Sequence, residues 1–240
     1  MRDSWSSIFG GSVCVGLVLA ITVAGGCSAD GGLTVASNGG PTTGPAPKLT
    51  FAEGKFTYLF DGNSLAGWKV PELIGGGKVW VKDKQLHVGV GDGISAVTWT
   101  GPILREDYEL SLEAKRVKGE DFFCGLTFPI GKDAATLILG GWGGELVGIS
   151  CINNYDASEN ETSDTRKFKM DHWYEVRVTV TAKKLVCHID DEEIINIERE
   201  SKRFSVRWEV EDTLPLGLST WNTEGAIRNV CLRRLLDAEK

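Results

Sequence analysis

From Phe56 to Leu235 the sequence is a procession of short apolar runs, each a few residues long and each closed by a turn signal. Tyr108–Lys115 shows the pattern most clearly. Tyr108, Leu110, Leu112 and Ala114 alternate with Glu109, Ser111, Glu113 and Lys115, the period of two that places one set of side chains on each face of a strand. Val79–Val81 and Gln85–Val88 flank a Lys-Asp-Lys turn and read as a hairpin. Further strands are expected at 122–128, 135–139, 146–152, 173–181, 184–190, 193–197, 214–221 and 226–235. Ser201–Trp208 has room for one helical turn; elsewhere no 3.6-residue period is sustained. About ten strands without helices predict an all-β fold, two antiparallel sheets packed as a β-sandwich or jelly roll. The eight tryptophans and thirty glycines suit that architecture, as large side chains between the sheets and as tight turns.

The N-terminal part obeys different rules. Arg2 is followed by an apolar stretch from Val13 to Ala24 and then by Gly25-Gly26-Cys27. The stretch is shorter than the roughly 20 residues a membrane span needs and fits the hydrophobic region of a signal peptide. Small residues before a cysteine suit a lipoprotein signal peptidase, with Cys27 as the lipidated N-terminus; Ala24, where leucine is commoner, is the one departure. Residues 28–47, rich in Gly, Pro, Ser and Thr, bury too little apolar surface to offset chain entropy and read as a tether. The expected organisation is a signal peptide over 1–27, a tether over 28–47 and one sandwich over 48–240. The protein is expected in the cell envelope, exported, and touching the membrane only through its lipid.

The formal charge is −7, and the part after residue 47 stays acidic without a basic run. That excludes nucleic acid and anionic lipid headgroups as partners. Cys124, Cys151, Cys187 and Cys231 each sit inside an apolar run. Both buried thiols and disulfides fit, with thiols favoured because a domain of this size needs no staple.

Three segments carry a family likeness. They are Leu59-Phe60-Asp61-Gly62-Asn63-Ser64-Leu65-Ala66-Gly67-Trp68; Trp80-Val81 with Leu86 and then Asp107–Lys115; and Gly217-Leu218 followed by Gly225–Arg233, which contains Arg228-Asn229-Val230 and Leu232-Arg233. Together they resemble the 3-keto-disaccharide hydrolase family. The resemblance implies a fold of the concanavalin type, the lectin and glucanase sandwich, with a carbohydrate site on the concave sheet. It also implies a glycosidase-like activity on 3-keto-glycosides. Asp61-Gly62 is a turn signal, and Leu65 and Trp68 are anchors for the first strand. Where such proteins carry an Asn-Ser-Gly run, this chain has Phe122-Phe123-Cys124-Gly125-Leu126. The loss of that polar pair gives a second reading, a carbohydrate-binding module without catalysis.

Candidate site residues follow. Glu113, on the polar face of its strand, is the acid/base candidate; a solvated sheet face is the alternative. Trp142, between two glycine pairs, and Trp221, at a strand end before Asn222, are candidate sugar platforms or core anchors. Asn153 and Asn154 open the polar loop 153–164 and are candidate sugar contacts. That loop gathers oxygen ligands, which a divalent metal such as calcium would need, but its spacing matches no known calcium loop. No cofactor is implied. His87, His172 and His188 are scattered and form neither a metal pair nor a triad.

Overall fold

The computed structural model describes residues 43–240, so the expected signal peptide, Cys27 and the expected tether up to residue 42 lie outside the described residues. The strands run in chain order as β1 (Thr57–Tyr58), β2 (Trp68–Lys69), β3 (Val79–Lys82), β4 (Gln85–Val88), β5 (Ile94–Trp99), β6 (Tyr108–Lys118), β7 (Cys124–Ile130) and β8 (Asp133–Gly141). Then follow β9 (Leu146–Ser150), β10 (Asp164–Thr165), β11 (Tyr174–Val180), β12 (Lys184–Ile189), β13 (Glu192–Glu198), β14 (Gly217–Trp221) and β15 (Glu224–Arg234). One sheet has the order β13-β12-β11-β6-β15-β4-β3, with β1 also on β15; the other has the order β10-β9-β8-β7-β14-β5-β2. The all-β, two-sheet sandwich expected from the alternation is the fold observed. No helix among the described residues is long and apolar enough to cross a membrane.

The alternation of β6 holds residue by residue. Tyr108, Leu110, Leu112 and Ala114 are buried, while Glu109, Ser111, Glu113 and Lys115 face outward. Their inward set meets Leu126, Phe128, Leu137, Leu139 and Ile149 of the seven-stranded sheet in one core. β7 departs from alternation because both of its faces are covered. Leu126 and Phe128 point into the core, while on the other face Thr127 Oγ1 bonds Thr136 Oγ1 at 2.9 Å and accepts from Thr213 Oγ1 at 2.8 Å. Thr213 ends a 3₁₀ segment, Trp208–Thr213, that lies over the outer face of the seven-stranded sheet. This segment corrects two expectations. The helical turn comes at 208–213 rather than within 201–208, and β14 begins at Gly217 rather than at residue 214. β5, whose residues are almost all buried, was hidden by its lack of alternation.

The opening motif is a fastening. Asp61 Oδ1 accepts from the amides of Asn63 and Ser64 at 2.7 and 2.8 Å, and Oδ2 accepts from Ser64 Oγ at 2.8 Å. Leu65 and Trp68 are fully buried. Trp68 Nε1 donates to Leu59 O at 2.9 Å and its ring meets Trp99 edge-on at 5.4 Å. Gly67, at φ +80°, has no space for a Cβ, which would sit 2.5 Å from the Trp99 ring. The end of the expected tether already belongs to this corner: Gly67 N donates to Gly44 O at 3.1 Å, and Pro47 packs beside Gly67. The four cysteines of the domain are free and buried, so the thiol alternative is the one realised.

Candidate functional site

A cleft of about 280 Å³ opens on the outer face of the seven-stranded sheet. Its floor is apolar: Phe122 and Ile138 are buried there in a small cluster of their own, with Ile94 and Trp221 packed on its edge. Trp142 and Trp221 stand at its margins, with Asp121, Ser150, Arg207 and Glu209 supplying polar groups.

Trp142 reaches the cleft on an unusual piece of backbone. Gly140 sits at φ +76°, where the pairing of β8 with β9 slips by a residue, as in a β-bulge. Gly144 N then donates to Gly141 O at 3.1 Å, closing a turn whose central residues, Trp142 and Gly143, are at φ +49° and +90°. Primed hairpin turns require positive φ at both positions, which glycine supplies freely and a bulky side chain does not. The strain of placing tryptophan there is of the order of 1–3 kcal/mol, the kind of cost that concentrates at functional sites. Its side chain nonetheless stays 49% exposed.

The turn is clamped from the other sheet. Arg116 of β6 is buried, and its Nη2 donates to Gly140 O at 3.3 Å and Gly144 O at 2.8 Å while the guanidinium lies over the Phe123 ring. Burial lowers its pKa, although Asp121, Tyr174 and Glu120 oppose the shift. A Cβ on Gly140 would stand 2.3 Å from Arg116 Nη2, so glycine is required there for packing as well as for φ. On the opposite margin, Asn222 at φ +46° accepts from Gly93 N through Oδ1 at 2.7 Å, and the Trp221 ring lies close over Gly93.

The polar wall is an ion-pair network. Arg207 Nε and Nη2 donate to the two oxygens of Glu209 at 3.0 and 2.7 Å, and Nη1 donates to Asp156 Oδ2. Asp156 Oδ1 accepts from Ser150 Oγ at 2.6 Å and Ala157 N at 2.7 Å. The Arg207 hydrogen bonds hold Glu209 below the usual carboxylate range, and these partners push Arg207 upward. Asp121 differs. Its Oδ1 accepts from the Phe122 amide at 2.7 Å and its Oδ2 from the Gly143 amide at 3.3 Å, with no arginine hydrogen-bonded to it.

Trp142 and Trp221 are therefore brought together, and Glu113 is not. It lies on the outer face of the eight-stranded sheet, across the core from the cleft. There it accepts from Arg228 Nε and Nη2 at 3.0 and 2.6 Å and from Asn229 Nδ2 at 2.5 Å. Burial pushes its pKa up, but the bonds from Arg228 and Asn229 outweigh that and lower it, so it holds no proton to give near neutrality. Glu113 and Trp142 are thus not brought together: residue parity put Glu113 on a polar face, and that face is the eight-stranded sheet's, where Glu113 lines a separate hollow of about 410 Å³ with Glu109, Glu175 and Arg177. Asn153 and Asn154 also leave the cleft. Both have positive φ in the turn after β9, and Asn153 Oδ1 accepts from Arg203 N at 2.9 Å. Other polar groups of their loop are bonded as well: Asn160 Nδ2 donates to the carbonyls of Ile149, Tyr155 and Asp156, and Glu161 pairs with Lys202. Among the described residues no group of three or more His, Cys, Asp or Glu could hold a metal.

The geometry can be set beside known proteins. The chain matches the 3-keto-alpha-glucoside-1,2-lyase-like domain over residues 55–233, most of its length. It belongs to that family. Glu113, Arg228, Asn229 and Arg233 of the three motifs that carry the likeness lie on the eight-stranded sheet, whereas the cleft residues fall between those motifs, still within the matched span. No curated protein matches this lyase-like domain in sequence. Among solved structures it is similar to a Bacillus subtilis protein of unknown function with a galectin-like fold (10% identity, 77% of this chain and 98% of that one, TM-score 0.55). It is also similar to a structure described with endo-acting O-glycanases of the human gut microbiota (14% identity, 77% and 100%, TM-score 0.50). A third is the carbohydrate-binding module CBM66 of Bacillus subtilis (16% identity, 70% and 95%, TM-score 0.46). At such identities the likeness is one of fold.

Sequence reasoning missed Asp121, Ser150, Arg207 and Glu209. They come from three separate segments, around Asp121, Ser150 and Arg207–Glu209, and no spacing links the three. The one available signal was Arg207-Trp208-Glu209, opposite charges two apart in an extended stretch around a tryptophan that is 77% exposed.

Proposed function

We propose that this lyase-like domain handles carbohydrate in the cleft between Trp142 and Trp221, on an exported chain anchored by a lipidated Cys27. The observation that carries the reading is Trp142, held half-exposed on strained backbone at the mouth of a cleft with a second tryptophan opposite. An indole face is an apolar platform for the C–H face of a sugar ring, and the carboxylates and hydroxyls beside it accept and donate to ring hydroxyls. Family membership points to a 3-keto-glycoside as substrate. A C3 ketone acidifies the neighbouring C2–H, so a base can remove that proton; the C2–H electron pair forms the 1,2-double bond while the C1–O pair leaves on the aglycone oxygen, which takes a proton from water and departs as the free alcohol. Asp121 is the cleft carboxylate suited to that base, because Glu209 and Asp156 are committed to Arg207.

A second reading, a binding module without turnover, is favoured by the Phe122 floor, which stands where a catalytic cleft would place more polar groups. Incubating the purified protein with 3-keto-glycosides and their parent glycosides separates the two. Sugar release abolished by Asp121→Asn supports the enzyme, while binding lost in Trp142→Ala without turnover supports the module. Neither binding nor turnover would sink both. Palmitate labelling of whole cells, lost in Cys27→Ser, tests the anchor.

A further inference from the structure

The charge of the cleft wall bears on which sugars it accepts. This step rests on the cleft being the carbohydrate site. An arginine in a sugar cleft is ordinarily the group that would fork onto the carboxylate of a uronic acid or onto a sulfate. The Nε/Nη2 fork of Arg207 is not available for that. Both arms of the fork are taken by Glu209 and one N–H of Nη1 by Asp156, three of the five donors, although the Arg207 side chain is 44% exposed. Neither partner is free to leave: the Glu209 side chain is 13% exposed and that of Asp156 11%, and Asp156 is fixed again by Ser150 Oγ and the Ala157 amide. Asp121 adds a third carboxylate, held by backbone amides alone. Asp121 and Glu209 thus line the cleft with one guanidinium, and Asp156 stands behind it. Arg116 lies close, but it is buried beneath the Gly140–Gly144 turn with its Nη2 on two carbonyls, and Glu120 as well as Asp121 acts on it. The balance stays negative.

We infer that the cleft admits neutral or amino-bearing sugars and rejects anionic ones, with Arg207, its Nε/Nη2 fork closed by Glu209, as the specificity determinant. Glu209 sets that state as a positioning residue, by occupying the fork that would otherwise take an acidic sugar. The test is calorimetric titration with one gluco-disaccharide backbone in four forms: neutral, 2-amino, 6-uronate and 6-sulfate. The neutral and amino forms should bind, with the uronate and sulfate at least about tenfold weaker, the size of one unfavourable charge at near-surface dielectric. Raising the salt to about 0.5 M, where the Debye length falls to a few ångströms, should narrow that gap. Glu209→Gln should shift the ratio of uronate to neutral affinity about tenfold toward the uronate, a ratio in which any loss common to both forms cancels. Uronate or sulfate binding as tight as the neutral form in the wild-type protein would overturn the inference while leaving the cleft as the sugar site. A gap unmoved by salt would also overturn it, and that measurement does not depend on the variant folding. Failure of all four forms to bind would remove the parent reading and this one together.

Discussion

The outer faces of the two sheets both carry carboxylates, arginines and aromatic rings, yet use them in opposite ways. On the eight-stranded sheet Glu113 bonds Arg228 and Asn229, Glu109 bonds Arg233, and Arg233 reaches on to Glu239. Arg228 stacks on Trp173 at 4.2 Å and Arg233 on Phe56 at 5.4 Å. The charges there satisfy one another across neighbouring strands, and the rings serve as lids for guanidinium groups. On the seven-stranded sheet Trp142 stands half-exposed at the cleft, and Asp121 is held by backbone amides with no arginine hydrogen-bonded to it. One face spends its polar groups on the fold, and the other holds some in reserve. A strip of alternating acid and base along a strand is thus no pointer to chemistry, whereas an unoccupied carboxylate beside an exposed ring is.

Substitutions can break or sharpen this division. The largest effect is expected where the faces are joined: Arg116→Met strips the donor from the carbonyls of Gly140 and Gly144. It should cost about 2–4 kcal/mol of stability and weaken sugar binding as well, read by melting and calorimetry on the same sample. Next is Trp142→Ala, which should lower sugar affinity about thirtyfold or more, roughly 2 kcal/mol, with Tm unchanged or raised as the turn is relieved. Third, Glu113→Ala should do the reverse. It should lower stability by about 1 kcal/mol, limited by the partial exposure of Arg228, and leave binding intact; any loss of sugar binding there would undo the division of the faces. The smallest effect is on pH. The folded pKa of Glu113 lies below its unfolded value near 4.5, so its contribution is complete above that value and fades as acid takes the pH down through the folded one. Glu113→Gln should therefore lose Tm less steeply than wild type between about pH 5 and 3.

The sandwich was legible because alternation in β6 and the hairpin at Val79–Val88 are local patterns with one structural solution. β5 and the start of β14 were harder, since a strand covered on both faces loses its period and a 3₁₀ segment leaves none. The site divided in the same way. Trp142 could be picked out because its glycine neighbours mark the turn that displays it, and Trp221 because it ends a strand before Asn222. Glu113 was misplaced, since alternation tells inward from outward but not which of two sheets a strand joins. Asp121, Arg207 and Glu209 meet only through the path of the 208–213 segment across the sheet, a tertiary fact that no window of sequence contains.

The four buried thiols have a consequence for how such a chain is made. Burial pushes Cys124 and Cys231 up to about 12, and Cys187 higher still, so near neutrality almost none of the sulfur is the nucleophilic thiolate. Once the domain is closed, Cys124 and Cys187 are fully buried and present nothing to glutathione, to an oxidising enzyme or to a stray disulfide, and Cys151 and Cys231 present little. Its assembly therefore needs no electron acceptor, and the same native state is open to it in a reducing cytosol or in an oxidising compartment beyond a membrane. For a protein proposed to be threaded out unfolded and closed on the far side, that redox indifference removes one class of misassembly, provided closure outruns oxidation.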